Sequence, residues 1–174
     1  MSGIVVGIDG SENSLEALRW AVQDAQRRAT TVTAIHVYPP KRERSPHLAA
    51  LSFVTAEATV QRVAEDDRAW REERSSEARR SAERMLSDMV RHAVPDPKVT
   101  IHQVAVEDDR PARVLIDRSA SADLLVVGAR GRGGFGGLKL GSVSQQVTVH
   151  AKCPVMIVRN SSRKKEKKDK DKDK

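Results

Sequence analysis

The sequence predicts an α/β domain, a doubly wound five-stranded parallel sheet in the order 3-2-1-4-5 with helices on both faces. Three observations carry this. Short β-rich apolar runs alternate with helical patterns five times over along the chain, the signature of a parallel sheet with crossover helices. Two of the runs, Gly3–Ile8 and Leu124–Val127, stop at the turn clusters Asp9-Gly10-Ser11 and Gly128-Ala-Arg-Gly131. The second cluster opens a loop with six glycines between 128 and 137, and a helical pattern begins only at Gly141-Ser142.

Taken in order, Gly3–Ile8 is a strand covered on both faces. Ser11 is placed to cap a helix whose stripe is Leu15, Leu18, Val22 and Ala25, with Trp20 at its edge. Thr31–Tyr38 is the second strand, closed by Pro39-Pro40. Lys41 to about Ser52 reads as a basic, irregular surface connection. Helix formers without Gly or Pro then run from Thr55 to His92. Their later part carries the stripe Ala78, Ala82, Met85, Leu86 and Met89; the earlier part, polar around Trp70, projects from the body, with a break expected within Asp66–Ser76. Val99–Val106 is the third strand. Asp108-Asp109-Arg110-Pro111 starts a short helix running to Ser121. After strand four, Ser142 and Gln145 have the capping-box spacing for a helix to about Val149, and Pro154–Val158 is the fifth strand. His36 and His102 fall in strands and read as packed side chains; Cys153 reads as a small buried residue.

Composition narrows the function classes. The chain has 174 residues and a net charge of +7, but its last fourteen residues alone carry +4. Basicity is therefore mainly a property of the tail, residues 161–174, which reads as disordered beside a domain over 1–160. Two Phe, two Trp and one Tyr leave no aromatic platform for single-stranded nucleic acid, and no DNA-reading motif occurs, so no specific nucleic-acid partner is expected. A single cysteine suits a reducing compartment. No apolar run is long enough to span a membrane, and Met-Ser-Gly leads into strand one without a signal-peptide pattern. A cytoplasmic location with no membrane partner is expected.

In doubly wound sheets ligands bind beyond the carboxyl ends of the strands, where the strand order reverses. In the order 3-2-1-4-5 that point lies between strands one and four, so the two turn clusters meet in one crevice. Gly128, Gly131 and Gly141 let the backbone turn and approach a ligand. The first amides of the following helix, at Val143 and Ser144, offer hydrogen bonds to a phosphate, and Ser142 adds a hydroxyl. Arg130 and Arg132 supply complementary charge. Asp9 either accepts from a ribose or holds Mg²⁺ bridging phosphates. The P-loop signature G-x-x-x-x-G-K-[ST] is absent, and a G-x-G-x-x-G reading lies after strand four rather than strand one, which disfavours a dinucleotide enzyme.

The spacing Gly128-x2-Gly131-x9-Gly141-Ser142 resembles the nucleotide-binding motif of the universal stress protein family. Its flanks agree, from Ile4-Val-Val-Gly-Ile-Asp-Gly-Ser11 to Cys153-Pro-Val-Met-Ile-Val-Arg159, so the resemblance covers about residues 3–159. It implies a Rossmann-like domain that binds ATP and forms homodimers through the last strand, Pro154–Val158. It implies that Asp9 and Gly10 sit near ribose and phosphates, and that Val37 contacts adenine. Gly128, Ala129, Arg130, Gly131, Arg132 and Gly133 would wrap ribose and phosphates, and Gly141, Ser142, Val143 and Ser144 would bind the phosphates. The chain departs from the family in its longer charged segment at 41–77, its Lys/Asp tail, and Asp109, where glycine is common. The function expected is an ATP-dependent regulatory or partner-binding module in stress response, with an unknown protein partner. No residue stands out as a general base aimed at a γ-phosphate. The competing reading is a weak Mg²⁺-dependent ATP hydrolase or adenylate-transferring enzyme using Asp9, and a third is a dimer that binds no nucleotide.

Overall fold

A computed structural model describes residues 3–41, 46, 57–132 and 140–160, with backbone only at 57 and 58. The described elements are β1 (Ile4–Gly7), α1 (Glu12–Arg28), β2 (Val32–Tyr38), α2 (Glu57–Ala93), β3 (Ile101–Glu107), α3 (Pro111–Ser119), β4 (Leu124–Gly128), α4 (Ser142–His150) and β5 (Val155–Val158). Most of the 41–52 connection, Gly133 and the 161–174 tail lie outside the described residues.

The five strands form one parallel sheet in the order β3-β2-β1-β4-β5, as the sequence predicts. β1 sits at its centre, pairing Ile4 with Val32 of β2 and with Leu124 of β4. Both faces of β1 and β4 are covered, which is why their sequences are continuous apolar runs rather than alternating ones. On one face, Val6, Val32, Ala34 and Val126 pack under α1 (Leu15, Leu18, Val22) and α2 (Leu86, Val90). On the other, Val5, Ile35, Leu125 and Val127 pack under Leu115 of α3 and Val147 of α4.

Ser11 caps α1 as expected, its hydroxyl accepting from Ser14 N at 3.3 Å. Trp20 packs at the edge of that face of the core.

Three expectations are corrected. The break sought in Asp66–Ser76 is absent, because α2 is one continuous helix of 37 residues. At 1.5 Å per residue that is about 55 Å, far longer than a strand of this sheet can cover. Among its described side chains full burial begins only at Ala78; before it Val63, Asp67, Trp70 and Arg74 are partly covered, with the Arg74 guanidinium 5.9 Å from the Trp70 ring centre. Good helix formers without Gly or Pro let the helix run on past the core. His102 is exposed rather than packed, since β3 is an edge strand. Ser142 does not cap α4. Gly141 takes the cap position, with extended backbone (φ −84°, ψ 169°), and Ser142 is the first helical residue. His36, by contrast, is buried, its Nδ1 2.8 Å from the Ile8 carbonyl.

Candidate functional site

The carboxyl ends of β1 and β4 open into one crevice of about 570 Å³. β1 delivers Gly7, Ile8 and Asp9, and β4 delivers Val127, Gly128, Arg130, Gly131 and Arg132. The start of α4 closes the polar end with Gly141, Ser142, Val143 and Ser144. The opposite end is apolar, walled by Ile35 and Val37 from β2 and by Pro111 and Leu115 from α3. An elongated ligand with a flat apolar end and an anionic end matches this division.

The polar end is built from backbone amides. The first intrahelical bond of α4 is donated by Gln145 N to Gly141 O at 3.0 Å. The amides of Ser142, Val143 and Ser144 precede it and have no carbonyl within the helix to bond. The shift of the cap by one residue also leaves the Ser142 side chain exposed at the crevice. Ser144 is different: its buried hydroxyl lies 3.0 Å from Ala129 O and 2.9 Å from Gly141 O, so the side chain locks the first turn of α4 onto the β4 loop.

Asp9 ties the two walls together. Its Oδ1 accepts from Ser11 N (3.0 Å) and Ser11 Oγ (2.7 Å), and its Oδ2 accepts from Arg132 N (3.3 Å). The approach is close enough that a Cβ on Gly131 would fall 2.2 Å from Asp9 Oδ2. Gly10, at φ +83°, takes a conformation that disfavours any side chain, and the Arg132 guanidinium lies directly over it. From there Arg132 Nη2 reaches Met85 Sδ at 3.9 Å.

The sequence-predicted residues therefore divide three ways. Asp9, Val37, Gly128, Arg130, Gly131, Arg132, Gly141, Ser142, Val143 and Ser144 line the crevice. Ala129 lies buried beneath it, donating N–H to Val158 O (2.7 Å) and accepting from Gly141 N (2.8 Å). Gly10 faces an adjoining shelf with Leu15, Met85 and Met89. Asp109 is exposed, is paired with Arg110, and does not line the crevice. Ile35, Leu115 and Pro111 went unrecognised because their sequence signal is that of ordinary core and helix-start residues.

Asp9 is the one carboxylate among the crevice-lining residues, and no cluster of three or more His, Cys, Asp or Glu suited to a metal occurs among the described residues. The Arg110 amide on Asp108 holds that carboxyl below its ordinary value and fixes the turn into α3. Burial pushes the half-buried Cys153 thiol up, with Asp123 adding to the effect, so it is not poised as a thiolate at neutral pH.

Fold and crevice define a doubly wound α/β domain with an anion-suited amide cradle at its switch point. The comparisons with known proteins name the group: the universal stress protein family model matches residues 1–159, and the chain belongs to that family. Universal stress protein Rv2005c of Mycobacterium tuberculosis is 37% identical over 158 residues, which is 91% of this chain but 45% of that protein. The chain thus spans about half the length of the curated relatives it matches. A universal stress protein solved in complex with cAMP superposes with TM-score 0.55 and 26% identity, covering 92% of this chain and 98% of that one. An Arabidopsis thaliana family protein with AMP bound shares the fold at TM-score 0.52 and 17% identity, covering 93% and 94%.

Proposed function

We propose that the crevice binds ATP and that the protein is a nucleotide-dependent regulatory or partner-binding module in stress response. The observation that carries this reading is one crevice lined both by apolar side chains and by helix amides that have no partner within their helix, with Asp9 also on its lining. The family neighbours solved with cAMP and AMP support an adenine nucleotide. The intact Gly128-x2-Gly131-x9-Gly141-Ser142 spacing and two arginines at the crevice favour a polyphosphate over a monophosphate. The base lies between Val37 and Leu115, and the phosphates lie on the amides of Ser142, Val143 and Ser144. Oδ2 of Asp9 keeps a lone pair that accepts from the ribose or from water on Mg²⁺, the metal taking its other ligands from phosphate and solvent.

Calorimetric titration with ATP, ADP, AMP and cAMP tests the reading. Binding is expected to be tightest for ATP; no heat with any of the four would make the protein a nucleotide-free structural module. Sustained phosphate release that Asp9→Ala abolishes would replace the binding module with an ATP hydrolase.

We also propose a homodimer through β5. Among the described residues it is an edge strand, paired only to β4, and its four residues are all incompletely buried. Val149 on the neighbouring α4 is 73% exposed. Strand pairing with a second copy would satisfy the open edge. Sedimentation is expected to give twice the 19.2 kDa chain mass; a monomer at every concentration tested would refute this. A cytoplasmic location is the reading that one cysteine favours. Among the described residues no helix is long and apolar enough to cross a membrane.

A further inference from the structure

We propose that Asn13 is a positioning residue that couples the crevice loop to the exit of β5, an inference that rests on the crevice being the nucleotide site. Asn13 lies in the first turn of α1, on neither wall of the crevice. Its Nδ2 donates to Arg130 O at 3.1 Å, and its Oδ1 accepts from Asn160 N at 2.9 Å. One amide group therefore clasps two segments that follow different strands, β4 and β5. The partners fix its orientation without ambiguity, since a carbonyl can only accept and a backbone N–H can only donate.

Two further features show that the clasp is built rather than incidental. A Cβ on Gly128 would lie 2.8 Å from the Asn13 backbone carbon and Cβ, so only glycine lets the turn of α1 come this near. Ser11 Oγ also stands 3.3 Å from Arg130 O, but it is 2.7 Å from Asp9 Oδ1. A hydroxyl has one proton, and the closer carboxylate takes it. Asn13 is thus the principal donor holding the Arg130 carbonyl. That carbonyl belongs to the peptide joining Arg130 to Gly131, two residues that line the crevice.

A nucleotide that orders residues 130–132 presses on the clasp, and the clasp passes that order to Asn160, two residues beyond β5. By thermodynamic reciprocity, whatever fixes the β5 exit in turn favours nucleotide binding. The device links the crevice to the same edge strand that would meet a second copy.

Amide hydrogen exchange on the full chain, with ATP titration, tests this. In the ligand-free protein, Asn13→Ala is expected to speed exchange at both Arg132 and Asn160. Asn13→Asp keeps an acceptor for Asn160 but presents an oxygen to the Arg130 carbonyl, so only the Arg132 end should speed up. ATP is expected to slow exchange at Asn160 in the wild type and not in Asn13→Ala, whose ATP affinity falls about tenfold, the worth of one hydrogen bond. Unchanged exchange at both ends in Asn13→Ala overturns the clasp. ATP binding to the wild type with no effect on Asn160, or affinity retained in Asn13→Ala, overturns the coupling. A wild type that binds no ATP while the clasp exchange behaves as stated overturns the reading of the crevice instead.

Discussion

Gly131→Val is expected to abolish detectable ATP binding while leaving the protein folded. The position tolerates no side chain for a local reason, since a Cβ there would meet Asp9 Oδ2 at 2.2 Å. Relief requires either the loop to retreat or Asp9 to turn away. Either movement breaks the bond from Arg132 N to Asp9 and separates the walls of the crevice. Gly131 is exposed and belongs to no strand or helix, so the displacement is absorbed at the surface rather than in the core. A loss of about 3 kcal/mol of binding free energy, more than a hundredfold in affinity, fits removal of a preformed cradle. Calorimetry reads the affinity, and thermal melting of the ligand-free variant should move little. The clash makes a second expectation. Asp9→Ala combined with Gly131→Ala should lose less affinity than the two single losses summed, because each change removes the other's obstacle. Strict additivity would mean that the contact does not shape the site.

The sheet was legible because each central strand is buried on both faces and therefore written as an unbroken apolar run, as in Ile4-Val-Val6 and Leu124–Val127. The cap at Ser11 was legible because capping is a local arrangement of neighbouring residues. The α4 cap was misplaced for the same reason: serine is a stronger local signal than glycine, and only the tertiary bond from Gly141 N to Ala129 O fixes where the helix starts. The continuity of α2 had a local signal in its helix formers without Gly or Pro, but the apolar stripe fades before Ala78, and the missing stripe suggested a break that the local propensity does not require. Leu115 and Ile35 carry two roles at once, packing the core and walling the crevice, and periodicity reports only the first. Asn13 was invisible because its partners lie 117 and 147 residues away in sequence. The glycine spacing shows where a ligand would sit; it does not show what holds the loop there.

Leu125→Ala is expected to produce the opposite pattern, a large loss of stability with the affinity for ATP retained. Leu125 is fully buried as the second residue of β4, paired in register with Val5 on one side and Val155 on the other. Its side chain shares a cluster with Ile35, Leu115 and Val147, where no water can replace the lost methyl groups. Truncation should cost about 2–5 kcal/mol, and at this chain length roughly 2–4 °C of melting temperature for each kcal/mol. The side chain does not line the crevice, and the backbone bond from Leu125 N to Pro154 O at 3.0 Å survives the substitution. Well below its melting point the variant should therefore bind ATP nearly as the wild type does. Saturating ATP should also raise its melting temperature by a similar stabilisation, because that increment depends on ligand concentration and affinity alone. If instead Leu125→Ala weakened binding as severely as Gly131→Val, the crevice would depend on packing throughout the β4 face. The amide cradle at Ser142–Ser144 would then not be preformed, and ordering it would consume part of the energy of nucleotide binding.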